Sequence, residues 1–401
     1  MKTAVIIFCM GFLLTSNYTI VNAQQRCKLE SYTEVIRQQG RDPLDFCRQL
    51  LEKYDLLVFD DALHNAEEPF RFYTQLLRNK ELQQKIKYVF IEVFSITSQP
   101  YIDRYLESAA KDSTQLLKVF QDDFSGYGWR YQTYLDLFSA IWEINRALPA
   151  LEKIKIIPVD QPIYWEALHT RRDYDLFQQS LVGRDYFMYR NIVTALKDFS
   201  EGRKGIFLTN TRHAYKGIRN GKGKYYWNTA TFLQQHFPGK SFSLRIHNVS
   251  LFIEGVKSAG AGRTSEGLDR VSYSWGLMEN GIWDSAFAMA GKPVAIPLQD
   301  NCFGRAAYVG NHMLDAAQGQ LMQDAYDGLI FLAPLRNLHF SARLDFIYTP
   351  AFKKELARRL LLLHDNDSAA LYKKHDAKNM DELIDKVTRF EPRRKNNFLG
   401  E

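Results

Sequence analysis

The sequence predicts an α/β fold: a mainly parallel sheet covered by helices on both faces, entered through a helical N-terminal lead-in. Two observations carry that expectation. Short apolar and β-branched runs alternate with longer amphipathic stretches, the order of a layered sheet whose strands are joined by crossover helices. The short runs are also continuously apolar, with no alternation, as strands buried on both faces must be. With 401 residues, 46% of them hydrophobic and 14% aromatic, the chain has ample material for such a core.

The elements follow in chain order. Residues 1–23 read as an export signal: Lys2, an apolar run from Ala4 to Leu14, then the small-residue site Val21-Asn22-Ala23. The apolar run is shorter than the roughly 20 residues that cross a bilayer. A secreted or periplasmic protein is expected, with no integral membrane segment once the signal is removed. Residues 24–50 form the helical lead-in. Cys9 leaves with the signal, and Cys27, Cys47 and Cys302 remain. A Cys27–Cys47 bridge and three unpaired thiols are both compatible with that odd count.

Residues 51–365 form the α/β domain. Strands are expected at 56–59, 88–94, 154–159, 205–210, 241–247, 292–298 and 328–334. Helices are expected at "EEPFRFYTQLLRN", "QPYIDRYLESAA" and "YQTYLDLFSAIWEINRAL", where apolar residues recur at three- and four-residue spacing. The small residues of "KSAGAGRTSEGLDR" (257–270) suggest a mobile loop. Residues 366–401 read as a charged C-terminal helix and tail.

Net charge is +6, but acids and bases are interspersed and no basic run stands out. That gives no footing for nucleic acid, and a small-molecule substrate is the expected partner. No G-x-S-x-G elbow, no G-x-G-x-x-G, no G-x-x-x-x-G-K-[ST] and no HExxH occurs. A serine-hydrolase elbow, a nucleotide cofactor and the common zinc-protease signatures are thereby disfavoured.

In open parallel sheets, ligands bind outside the carboxyl ends of the strands. The first candidate strand runs into Asp60, Asp61 and His64. The third ends in Asp160, the fourth in Arg212 and His213, and the fifth in His247. One strand-end Asp is more often a helix cap than a catalyst, and one His is more often structural. Glu92 differs, because it is embedded in "YVFIEVF", where a carboxylate is costly unless paired or protonated. Arg184 in "GRDYFMYRNI" is a candidate to hold a buried acid or an anionic substrate group. The catalytic candidates are His64, Glu92, His213 and Asp61; Asp60, Asp160, Arg184, Arg212 and His247 are candidates to bind substrate or support the site. Two histidines with several carboxylates suit general acid–base hydrolysis through water, which needs no cofactor. The same set is compatible with a divalent metal or with haem, although no metal ligand is assigned.

These motifs, in this order, resemble the erythromycin-esterase-like group, within the superfamily that includes ChaN-type haem-uptake proteins and TIKI/TraB-type proteins. Asp60-Asp61-Ala62-Leu63-His64 stands where that group has Gly-Glu-x-x-His. Glu92, the helix "SQPYIDRYL", the Arg184-Asp185-x-x-Met188 segment, His213 in "TNTRHAYKG" and the strand "AYDGLIFLAPL" match in turn, covering most of residues 50–340. The resemblance implies a hydrolase of an ester, lactone or amide. His64 would activate water, Glu92 and His213 would orient it or share its proton, and Arg184 would support the site from behind. Haem or iron-ligand binding and a metal-dependent peptidase are the alternatives that the superfamily implies. The chain departs from the group at the first motif, where Asp61 is one methylene shorter than Glu. A misplacement of about 1 Å can cost roughly a hundredfold in rate.

Overall fold

The computed structural model describes residues 29–256, 271–309 and 316–389. The expected signal, Cys27, the 257–270 segment and the last part of the tail lie outside the described residues. Two helices, α1 (Leu29–Gln39) and α2 (Pro43–Lys53), lead in. Asp42 caps α2 by accepting the N–H groups of Leu44 and Asp45, and Pro43 occupies the first turn, where its missing N–H is not needed. Cys47, on α2, is buried.

The chain then runs through β1 (Leu56–Asp60), α3 (Glu67–Arg78), β2 (Ile86–Ser95), α4 (Gln99–Glu107), α5 (Gln132–Arg146) and β3 (Lys155–Asp160). It continues through α6 (Arg171–Ser180), α7 (Arg184–Ala195), β4 (Lys204–Thr209), the single turn α8 (Thr211–Ala214), α9 (Thr229–His236) and β5 (Ser241–Ile246). A hairpin of β6 (Ser250–Val256) and β7 (Val271–Gly276) precedes α10 (Ile282–Ala290), β8 (Val294–Pro297) and β9 (Gly328–Phe331). Helices α11 (Pro350–Leu363), α12 (Ser368–Lys374) and α13 (Met380–Thr388) close the described chain.

Seven strands form one sheet in the order β3-β2-β4-β1-β5-β9-β8. Every pairing is parallel except that of β8 with β9. These are the seven runs expected from the sequence. The β6–β7 hairpin forms a separate two-stranded sheet and was not anticipated. Serine and glycine interrupt its strands, so it shows no continuous apolar run.

The sheet is buried on both sides. Leu57, Phe59, Val89, Ile91, Ile206 and Leu208 face a core built with α2, α3, α4 and α5. Leu56, Val58, Phe90 and Phe207 face the other, built with α1, α7, α9 and α10. The chain therefore leaves β1 over one face, through α3, and leaves the adjacent β4 over the opposite face, through α8 and α9. Neighbouring strands whose connections diverge open a crevice at their carboxyl ends. A smaller cluster of Leu356, Leu360, Leu371, Leu383 and Ile384 joins α11, α12 and α13. Among the described residues, no helix is long and apolar enough to cross a membrane.

Candidate active site

At the end of β1 the backbone turns sharply, with Ala62 at φ 66° and His64 at φ 60°. Left-handed conformations cost non-glycine residues roughly 1–3 kcal/mol and gather at functional sites. Here side chains hold the turn. Asp60 Oδ1 accepts the Ala62 N–H at 2.8 Å, and Asp61 Oδ1 accepts the His64 N–H at 3.1 Å. The second Asp61 oxygen lies 3.0 Å from His64 Nδ1. One short carboxylate thus grips both the backbone and the ring of His64. The tight turn brings Asp61 to a contact that a longer Glu would make from farther away.

His64 Nε2 points to Glu92, 3.5 Å from Oε2. Glu92 lies on β2, two strands from β1, with β4 between them. Its Oε2 also accepts the Thr209 hydroxyl and the Asn210 N–H, the latter at 3.1 Å. Its Oε1 meets Arg184 Nη2 at 3.1 Å and His213 Nε2 at 3.1 Å. His213, on α8, is held from the other side by Asp185, whose Oδ1 is 2.7 Å from Nδ1. That Asp185 oxygen also accepts the Thr229 N–H at 2.7 Å and its hydroxyl at 2.8 Å. The result is two carboxylate–imidazole pairs, Asp61–His64 and Asp185–His213, facing each other across Glu92.

Burial works against charge on all three central groups. It lowers the His64 pKa, but the Asp61 and Glu92 carboxylates outweigh it and push the ring up to about 10. Burial likewise lowers His213, and Asp185 and Glu92 push it up to about 9. Burial raises Glu92, yet the charges of His213 and His64 hold it well below the usual carboxylate range. Neither His Nε2 has a hydrogen-bond partner, although both are buried. The close approaches to Glu92 are electrostatic and off the hydrogen-bond axis.

Two further ion pairs flank this centre. Arg184, at the start of α7, clamps Asp160 with Nε at 2.9 Å and Nη2 at 2.6 Å while reaching Glu92. Asp60 is committed elsewhere: its Oδ2 takes Tyr326 Oη at 2.6 Å and Arg245 Nη1 at 3.2 Å, and its Oδ1 takes the Thr211 hydroxyl at 3.0 Å. Arg212 is tied through its backbone, donating to Asn210 Oδ1 and accepting from Asn228 Nδ2. His247 does not join the centre. It packs among the rings of Trp283, Phe287 and Phe331, with Nε2 3.4 Å from Asp284.

The segment between α4 and α5 covers the cluster. The Trp129 ring stands edge-on to His64, with centroids 5.6 Å apart, and the Arg184 guanidinium lies 5.3 Å from the Phe124 ring. Arg359 of α11 anchors this cover through Gln121 O at 2.7 Å and Asp122 Oδ1 at 2.8 Å. Among the described residues, no three His, Cys, Asp or Glu side chains are grouped to hold a metal ion.

Sequence reasoning passed over Asp185 and Arg245. Asp185 adjoins Arg184 in the quoted helix motif, but nothing in the sequence pairs it with His213. Arg245 did leave a signal: a charge embedded in "SFSLRI", the same anomaly that singled out Glu92.

No family model and no curated protein matches the chain. Solved structures do match. A succinoglycan biosynthesis protein gives a TM-score of 0.53 at 8% identity, over 76% of this chain and 97% of its own. A protein from Bacillus cereus gives 0.50 at 11% identity, over 77% and 98%. An erythromycin esterase mutant in its open conformation, from the group that the motifs resemble, gives 0.48 at 9% identity, over 73% and 96%. At such identities the likeness lies in the fold, and the chain shares that of the first two structures over about three quarters of its length.

Proposed function

We propose that the protein is a hydrolase that activates water with the His64–Glu92–His213 centre and cleaves an ester, lactone or amide in a small molecule. The observation that carries this reading is the pair of buried Nε2 atoms, each on an aspartate-held ring, each without a hydrogen-bond partner and both turned to one carboxylate. Buried polar atoms in that state are what a reacting water or a carbonyl oxygen would satisfy. Asp61 and Asp185 fix the ring orientations, as a general base requires. With both rings protonated there is no base. Removal of one proton leaves a neutral imidazole to take a proton from the attacking water and an imidazolium to give one to the leaving oxygen of an ester or lactone, or to the leaving nitrogen of an amide. Glu92 holds the two rings in register, and Arg184 donates to its Oε1. The basic and apolar segment at residues 1–23 supports an exported setting for this activity.

The test is a panel of small esters, lactones and amides, assayed with and without chelator beside His64→Gln and His213→Gln. The expected result is chelator-resistant turnover that falls by about 10²–10⁴ in either variant while circular dichroism is unchanged. Full activity in His64→Gln would sink the reading, and so would inactivity of the unaltered protein across the panel at every pH from 6 to 10.

A further inference from the structure

We propose that a basic, aromatic rim beside the site is a docking surface for an anionic lipid bilayer. The rim begins at the turn Arg219–Tyr225. Asn220 N–H donates to Lys224 O at 2.9 Å, and Asn220 Oδ1 accepts the N–H groups of Lys222 and Lys224 at 3.0 Å each. The turn is thus internally fixed, and it presents Lys222 and Lys224 to solvent. Neither ammonium meets a carboxylate among the described residues. Arg219 lies over the Tyr225 ring at 4.4 Å and bonds its hydroxyl at 2.6 Å.

Aromatic rings continue from there without a break. Tyr225 and Trp227 are 6.0 Å apart, Trp227 and Phe232 4.9 Å, and Phe232 and Tyr186 5.4 Å. Trp227 is 50% exposed, Tyr186 51%, and Val182, four residues before Tyr186, 90%. His236 adjoins Trp227, with centroids 6.4 Å apart. The turn from Arg219 to Tyr225 contains three cations, Arg219, Lys222 and Lys224, and no acid, and Asp185, next to Tyr186, is occupied by His213 and Thr229.

This combination selects its partner. Tyr and Trp have an apolar body and a polar tip and settle at the headgroup level of membranes. Lysines keep their ammonium groups among the headgroups while their stems lie along apolar surface. An exposed valine gains from acyl chains and would gain nothing from a polyanion such as nucleic acid. Each basic residue near an anionic leaflet contributes about 1 kcal/mol, or about fivefold in partition. The rim also reaches the centre directly: Thr229, two residues after Trp227, is the residue that holds Asp185.

The experiment is cosedimentation of the purified protein with large vesicles of phosphatidylcholine alone, or of phosphatidylcholine mixed equally with phosphatidylglycerol. Binding is expected to the mixed vesicles only and to weaken with salt. Lys222→Glu/Lys224→Glu should cut partition about tenfold or more. Trp227→Ser should weaken it with no change in circular dichroism. No sedimentation, equal binding to both vesicles, or variants that bind like the parent would overturn the proposal. Sedimentation velocity without lipid is the companion measurement. A dimer abolished by Trp227→Ser would assign the rim to a second copy of the chain and overturn it equally.

Discussion

Glu92 shows how one residue can be affordable only because of its neighbours. A carboxylate 2% exposed in the middle of an apolar strand would protonate if left alone. Here it has Arg184, the Thr209 hydroxyl, the Asn210 N–H and two imidazoles. The dependence is mutual, since its charge helps to raise both histidines. Glu92→Gln is therefore expected to move His64 down from about 10 and His213 down from about 9, visible by NMR titration of the imidazole nitrogens. Unmoved histidines would show that Asp61 and Asp185 alone set them. Asp60 and Arg245 form a second pair, fully buried, whose Asp60 oxygens are taken by Tyr326 and Thr211. Arg245→Met would leave the buried Asp60 carboxyl without its arginine, with the Tyr326 and Thr211 hydroxyls and the Ala62 N–H as its partners. The expected cost is about 3–5 kcal/mol in urea unfolding.

At the scale of elements, β3 is an edge strand, and side chains satisfy its outer backbone. Gln99 Nε2 donates to Ile156 O at 2.9 Å and Asn191 Nδ2 to Val159 O at 3.0 Å. Asn145 bonds both the N–H and the C=O of Ile154, at 2.8 Å each. A cavity of about 490 Å³ opens along this edge, but no residue of the His64–Glu92–His213 cluster lines it. Its polar lining serves strand β3, so the cavity and the cluster are in different places. Asn145→Ala removes two buried hydrogen bonds and is expected to cost about 2 kcal/mol or more, read by denaturant midpoint. The sheet was legible in the sequence because burial on both faces makes strands continuously apolar. The β6–β7 hairpin was not, because serine and glycine interrupt its strands. His64 and His213 stood out in the sequence as histidines after strands and Glu92 as a charge inside an apolar strand, and the structure brings the three together. Asp185 did not stand out, because the contact that matters spans 28 residues and depends on α7 and α8 meeting across the end of the sheet.

For the whole molecule, the same centre couples stability to pH. His64 and His213 carry folded-state pKa values of about 10 and about 9, against about 6.5 in an unfolded chain. A raised value means that folding is favoured by protonation. Their contribution is fully present below about pH 6.5, declines above it, and is gone beyond about pH 10. Glu92 has the opposite sign: its depressed pKa contributes above the unfolded value near 4.5 and is lost as pH falls through the folded one. Stability from this centre should therefore peak in the weakly acidic range. The proposed chemistry requires one of the two imidazolium protons to leave, so activity should peak on the alkaline side, as a bell with limbs near 9 and 10 that belong to the coupled set. The melting temperature should accordingly fall from pH 7 to pH 10, as kcat/KM rises towards its maximum. The double variant His64→Gln/His213→Gln should flatten that alkaline fall. A parent protein whose melting temperature does not change over this range would show that the two rings are neutral when folded, and an activity maximum near pH 7 would then be expected instead.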